Sequence, residues 1–413
     1  MPESDLLINV QPTALATMLE SAPTAREMVI YRGALTPQEL DAPEVEIEAL
    51  ARGAAIHDLG WMRRVEVRGG ERFSWLSGMV TNTVNDLFPN SGAWNLVLNA
   101  QGHIQGDLTV WREGEELSPQ RRKPAGDRPK AADAQNRELG TPFAGESGLE
   151  LEMAADQLEK LLAHLNKFII MDDVELVPQG DEQAREAGSE TAIGLTGPLA
   201  DEVLERVGLP VISSAMSGVS VEWNGWDLRI LRVYGVLGKH YEFWLPTAGL
   251  PKLWPCLRTG GAMPVGCAAL EKFRIAEGIP LYGVDMVERD LPQETSQIRA
   301  LHFAKGCYLG QEIVERIRSR GNVHRHLRPL ELEGPVPAAG AELTLEDGTA
   351  AGEITSAAEL PLIGGRRTFA LGRIRSETEE RNEAFQYAVG DAKGTARILD
   401  APPKLVANSC QSR

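Results

Sequence analysis

A chain of 413 residues with 43% hydrophobic and 24% charged residues has the make-up of a globular protein long enough for two or three domains. No run of about 18 apolar residues occurs, and the acidic start Met1-Pro2-Glu3-Ser4-Asp5 lacks the regions of a secretory signal, so neither a membrane span nor export is expected. The formal charge of −17 argues against general nucleic-acid coating, though not against a local basic site, and four cysteines (Cys256, Cys267, Cys307, Cys410) are too few for a disulfide framework and fit a reducing, cytosolic setting.

Residues 1–45 read as an N-terminal extension with one helical segment near 14–21, followed by a helix over 46–60. Alternation predicts a strand at 63–67, a helix over 71–80, and paired strands at 93–98 and 104–111, joined by a turn at 99–102. Residues 113–148 are rich in Pro, Gly and mixed charge, cannot bury a core, and read as a disordered insertion; a basic RNA-binding arm is the functional alternative. Strand 148–153 then precedes an amphipathic helix at 155–166, with Leu158, Leu161, Leu162 and Leu165 on one face. Strands are expected at 169–177, 192–196, 219–223, 228–233 and 241–245, and helices at 199–207, 250–259 and 267–277. This order lacks regular βαβ spacing and predicts an α+β fold. From residue 327 onward, short strands between Gly and Pro at 329–332, 342–344, 350–355, 368–374 and 395–399 predict a small β-barrel over 327–400. Residues 401–413 read as a tail.

The segment Lys305-Gly306-Cys307-Tyr308-Leu309-Gly310-Gln311-Glu312 stands out. A structural cysteine usually sits among apolar residues, whereas Cys307 is flanked by glycines and charged groups. Lys305 could stabilise its thiolate, or Cys307 could be a loop cysteine with no role. Around it, Arg299 to Arg328 holds seven Lys/Arg and two acids, a segment of +5 in an acidic chain. Such a segment is either an anion site or a solvated helix face with pairs such as Glu312–Arg316.

Lys305 to Glu312 resembles the signature of the YgfZ-type folate-binding proteins, relatives of the glycine-cleavage T-protein (aminomethyltransferase). Two further blocks support the resemblance. One is Gly78-Met79-Val80-Thr81-Asn82 with Leu98-Asn99-Ala100-Gln101-Gly102-His103-Ile104 and Asp107-Leu108. The other is Arg274-Ile275-Ala276-Glu277-Gly278-Ile279-Pro280 with Leu291-Pro292-Gln293-Glu294. The resemblance implies a folate-binding α+β core over 46–298, a motif connection over 299–326 and then the barrel. It implies a bound tetrahydrofolate or other reduced folate, with Met79, Asn82, Asn99, Gln101 and Asp107 along the cleft; Arg274 and the basic segment could meet its carboxylates. It further implies an accessory role in assembly or repair of iron–sulfur proteins, including those that modify tRNA, with Cys307 as the reactive thiol and iron–sulfur client or assembly proteins as partners.

The residues themselves leave alternatives open. Asn82 and Gln101 suit a planar heterocycle as donor and acceptor, or a turn cap. Aminomethyl or one-carbon transfer is the second reading, with Asp107 as the catalytic carboxylate or a structural cap. T-proteins carry an Asp-Asp pair where this chain has Gly106-Asp107, and a Tyr-Thr-Gly-Glu motif where it has Tyr234-Gly235-Val236-Leu237. A folate-sensing regulatory protein is a third. One cysteine cannot hold a cluster alone, and the scattered histidines show no metal-binding spacing.

Overall fold

The computed structural model describes residues 10–20, 27–114, 147–179, 189–321, 323–381 and 383–405. Alternating apolar side chains along its strands bury one or both faces, and antiparallel neighbours bring them into one large sheet. Among the described residues that sheet has eleven strands and two halves. The first half runs Met263–Val265, Ala55–Asp58, Glu190–Gly197, Lys239–Pro246, Trp226–Val233, Ser217–Trp223. The second runs Ser91–Leu98, Ile104–Arg112, Leu149–Ala154, Met62–Arg68, Glu175–Pro178. Among the described residues, Ser217 with Ser91 is the one ladder pair between the halves, and each half carries its own core.

Ile193, Leu195, Phe243 and Leu245 fill the first core with Leu253 and Leu257 of the helix Leu250–Thr259. Val97, Leu108, Val110 and Leu151 fill the second, with Leu161 and Leu165 of the helix Ala155–Asn166. Each such buried side chain contributes roughly 1.5–3 kcal/mol. Leu161 and Leu165 hold that helix against the sheet and so fix the direction of Gln157, one turn earlier.

The strands Arg325–Glu333, Gly365–Arg375, Ala350–Leu362, Glu342–Thr344, Phe385–Val389 and Ala392–Ile398 close into the expected C-terminal barrel. Leu330, Leu343, Ile354 and Phe385 fill it. It docks on the helix Cys267–Glu277, where Phe273 and Ile275 meet Leu360 and Phe369. Asp285 fastens the joint, accepting hydrogen bonds from Thr355 and Ser356 at 2.6 Å and from Arg274 at 2.7 Å.

Three local expectations fail. Residues 46–60 are a helix only over Pro43–Arg52; Ala55–Asp58 pairs instead with residues 193–196, and that pairing outweighs local helix preference. The strand expected at 169–177 is confined to Glu175–Pro178, because residues 170–173 turn back, where Asp173 holds Gly70 N–H. Residues 27–45 hold a hairpin, Met28–Tyr31 with Ala34–Pro37, and Thr36 donates to the buried Asp58 at 2.6 Å. The supposed extension is therefore partly core structure. The insertion expected at 113–148 lies, but for its edges, outside the described residues.

Candidate active site

Where the two half-sheets meet, adjacent strands project polar groups into a cleft of about 230 Å³. Strands Ser91–Leu98 and Ile104–Arg112 pair Leu96 with Asp107 and Trp94 with Thr109, which places Trp94 and Asp107 on one face. The Trp94 indole N–H donates to Asp107 Oδ2 at 2.9 Å. Gln157 Nε2 donates to Asp107 Oδ1 at 3.0 Å, and Gln157 Oε1 accepts the Asp107 backbone N–H, also at 3.0 Å. Asp107 is thus an oriented carboxylate on the cleft wall. Glycine at 106 is what admits Gln157: a Cβ there would lie 2.7 Å from Gln157 Oε1 and 2.8 Å from a Leu161 methyl. A side chain at 106 would have to displace the ends of Gln157 and Leu161.

Two buried carboxyls line the same cleft. Glu152, whose ladder partner Thr109 shares a face with Asp107, comes from the second half-sheet, and Glu242 from the first. Burial and then their mutual charge raise the pKa of Glu152 well above the ordinary carboxylate range; burial raises Glu242 as well. Two buried carboxyls that raise each other in this way favour sharing a proton. Trp244 donates to Glu242 Oε2 at 3.2 Å, whereas Glu152 Oε2 has no partner. Arg64 and Arg229 stand nearby but are ion-paired to Glu150. A carboxyl–carboxylate pair of this kind can both donate to and accept from a planar, amidine-like edge.

Arg299 closes the cleft. Its guanidinium stacks 4.1 Å from the Trp94 ring and 4.0 Å from the Tyr234 ring. Burial lowers its pKa to about 10. The cleft continues past Arg299 into a second one of about 350 Å³, reaching the barrel at Pro329 and Leu399.

Of the residues singled out in the sequence, Asp107 lines the first cleft. Asn82, Asn99, Gln101, Met79 and Arg274 are not among the residues lining either cleft. Asn82 donates to the carbonyls of Trp94 at 3.0 Å and Arg299 at 2.8 Å, and so fixes the two groups that stack. Asn99 accepts the N–H groups of Gln101 and His103 at 3.0 Å, and Gln101 is exposed on that turn. Met79 packs against the second core. Arg274 is spent on Glu271, Asp285 and the Ile279 carbonyl. Polar side chains in tight turns and buried arginines satisfy the backbone or acids beside them first.

The Lys305–Glu312 motif closes on the two earlier blocks. Lys305 Nζ donates to the carbonyls of Val80 at 2.7 Å and Asn82 at 2.6 Å, and burial lowers its pKa to about 8. Leu309 N–H donates to Gly78 O at 2.9 Å, and Tyr308 is buried against Leu96, Leu98 and Ile104. Gly310 caps the helix Gln311–Arg320, and Glu312 pairs with Arg316 at 2.6 Å. Cys307 is exposed, with open space around Gly306. Lys305 therefore serves the backbone, and neither it nor Cys307 lines either cleft.

Trp94, Glu152, Gln157 and Glu242 did not emerge as site residues from the sequence, and Arg299 stood out only as one member of the basic segment. A signal for Glu152 and Glu242 was present: each sits beside apolar residues in a strand, Leu149–Ala154 and Lys239–Pro246, where burial of a carboxyl needs a reason.

No family model matches the chain. It is 25% identical over 383 residues to an aminomethyltransferase of Rubrobacter xylanophilus, covering 91% of this chain and 90% of that one. It is 23% identical over 376 residues to an aminomethyltransferase of Geobacillus kaustophilus, covering 89% and 91%. The crystal structure of the glycine cleavage system aminomethyltransferase T from Bartonella henselae superposes with a TM-score of 0.77 at 18% identity, over 96% of this chain and 99% of that one. The fold is that of a T-protein: an α+β body followed by a closed barrel. The full-length similarity supports kinship with the T-protein superfamily and does not reach down to the YgfZ subfamily.

No helix among the described residues is long and apolar enough to cross a membrane, and none of their His, Cys, Asp and Glu side chains gather into a group of three or more suited to a metal ion.

Proposed function

We propose that this chain is a tetrahydrofolate-dependent one-carbon transferase of the aminomethyltransferase kind, with Asp107 as its catalytic carboxylate. The clamped carboxylate of Asp107, lining one small cleft with the buried Glu152–Glu242 pair, carries this reading. A reduced pterin fits the donors present. The unpartnered Glu152 oxygen and the shared proton suit its aminopyrimidine edge, and Trp61 and Trp94 suit its flat faces. Tetrahydrofolate would supply the amine that accepts the one-carbon unit. Asp107, fixed on both oxygens, would stabilise positive charge at the reacting amine or take its proton. The two curated relatives are named aminomethyltransferase, which favours transfer over the iron–sulfur role expected from the motif.

Calorimetry and a one-carbon transfer assay with an aminomethyl donor test this reading. Tetrahydrofolate should bind in the micromolar range, about −8 kcal/mol. Asp107→Asn should keep that binding within a few fold and lower the transfer rate by about 10²-fold or more. Absence of binding by any reduced folate would sink the proposal.

One observation favours a second reading, that of a YgfZ-type accessory factor for iron–sulfur proteins, tRNA-modifying enzymes among them. Cys307 is exposed on a loop whose neighbours Lys305 and Leu309 are tied to residues 78–82 at the cleft's back wall. On this reading Cys307→Ser keeps folate binding and loses activity in an iron–sulfur maturation assay. Full complementation by that variant would end it.

A further inference from the structure

Arg299 is held more firmly than a merely structural arginine needs. Two aromatic rings clamp its guanidinium, and Asn82 fixes its carbonyl. Yet no carboxylate pairs with it among the described residues. Its Nε donates to Gln297 at 3.3 Å, and its two terminal nitrogens have no protein acceptor. The nearby acids are engaged: Asp107 by Trp94 and Gln157, Glu277 by His240 and the N–H groups of Val236 and Leu237. A desolvated guanidinium with an open fork is costly unless an anion meets it, and its planar geometry matches a carboxylate. Arg299 also stands at the neck, since the inner and outer clefts share Tyr234, Ile279 and Arg299.

We propose that Arg299 anchors a carboxylate on the ligand's tail, with the ring system in the inner cleft and the tail leaving through the outer cleft between residues 296–299 and the barrel segment 399–402. This deepens the folate reading and rests on it. The basic segment noticed in the sequence then has one member turned inward to read charge, while Arg316 and Arg318 pair with their helix neighbours at the surface.

The test is a cycle between protein and ligand. Binding of tetrahydrofolate and of its analogue with both glutamate carboxylates converted to amides is measured by calorimetry on the wild type, Arg299→Gln and Arg299→Lys. The wild type should prefer the acid by roughly 10–100-fold, Arg299→Lys by less, and Arg299→Gln should bind both alike. Equal weakening of acid and amide in Arg299→Gln would overturn the proposal and make Arg299 a support for Trp94. A wild type that binds both equally would overturn it without any variant. If the wild type binds neither ligand, the folate reading itself fails, and that result is distinct from the other two.

Discussion

Gln157 grips Asp107 at two points: its amide N–H reaches the carboxylate, and its amide oxygen takes the Asp107 backbone N–H, each at 3.0 Å. The grip reaches from the first turn of the helix Ala155–Asn166 to the middle of the strand Ile104–Arg112, so the helix's apolar packing sets the carboxylate's direction. Replacing Gln157 by Ala leaves a backbone N–H and one carboxylate oxygen without their partner, at a cost of about 1–3 kcal/mol. The expected kinetic result is a split. The rate of transfer should fall by about 10–100-fold, since a catalytic group misplaced by an ångström costs that much, while KM for tetrahydrofolate changes little. A matched rise in KM with no change in kcat would show that Gln157 serves binding instead.

The Glu152–Glu242 pair makes stability depend on pH. Both folded-state values are raised, by burial first, above the ordinary value of 4.5. Between that value and the raised one the native state keeps a proton that the unfolded chain has released, so stability falls as pH rises. Each retained proton costs about 1.4 kcal/mol per pH unit across that window. Glu152→Gln, which keeps a donor and an acceptor without the charge, should flatten this fall. Tm measured from pH 5 to pH 8 should decline less in the variant than in the wild type; parallel curves would show that the pair does not hold its proton.

His240 adds a second loss of stability with rising pH, above neutrality, while Glu277 acts in the opposite sense in acid. Burial alone would lower His240, but the Glu277 carboxylate 3.1 Å away raises it, while Glu277 itself is lowered. The His240 contribution is complete below its ordinary value of 6.5 and is lost as pH rises through the raised one. The Glu277 contribution is present above 4.5 and is lost as pH falls through the lowered one. Glu277→Gln should therefore cost most between those limits, about 3–5 kcal/mol, because it strands a buried imidazolium. Urea unfolding at pH 6 and pH 9 checks this: the deficit should shrink at pH 9.

The two motif glycines should differ. Gly310 has φ +82°, and a Cβ there would lie 2.7 Å from Asn99 O and 3.0 Å from Gly102 Cα, whereas nothing lies within 4 Å of Gly306. Gly310→Ala should destabilise by about 2 kcal/mol or more through strain and displacement of the Asn99 turn, and Gly306→Ala by less than about 0.5 kcal/mol. Denaturant midpoints decide it; equal costs would mean that the loop does not press on that turn.

Alkylation of the folded protein should separate the cysteines. Cys307 is exposed, Cys256 is half-buried with a thiol raised by burial, and burial pushes the Cys267 thiol up to about 12. Since the thiolate is the reacting species, Cys307 should react at least about tenfold faster than Cys267. Peptide mass spectrometry over time measures this, and slow reaction at Cys307 would contradict its exposure.

Most of the architecture was written locally. Period-2 alternation gave the strands that flank the cleft, the leucine face gave Ala155–Asn166 as a helix, and Gly- and Pro-bounded short strands gave the barrel. Local pattern failed where distant pairing outweighed it, as at Ala55–Asp58, whose partner strand lies beyond residue 189. Residues 78–82, 99–103 and 305–312, singled out separately in the sequence, meet in space. The sequence could not say which side of the contact faces the cleft. Turn residues such as Asn99 and Gln101 look like ligand donors in one dimension because their types are shared by both uses; only the fold shows that backbone groups consume Asn99 and that Gln101 points outward. Conversely, Gln157, Glu242 and Arg299 lie 5, 90 and 147 residues beyond Glu152 along the chain, and no one segment marks them as members of one site. Their chemistry arises where two half-sheets and the 296–299 turn converge, because burial, like charge and missing partners are properties of that convergence and of no local stretch of sequence.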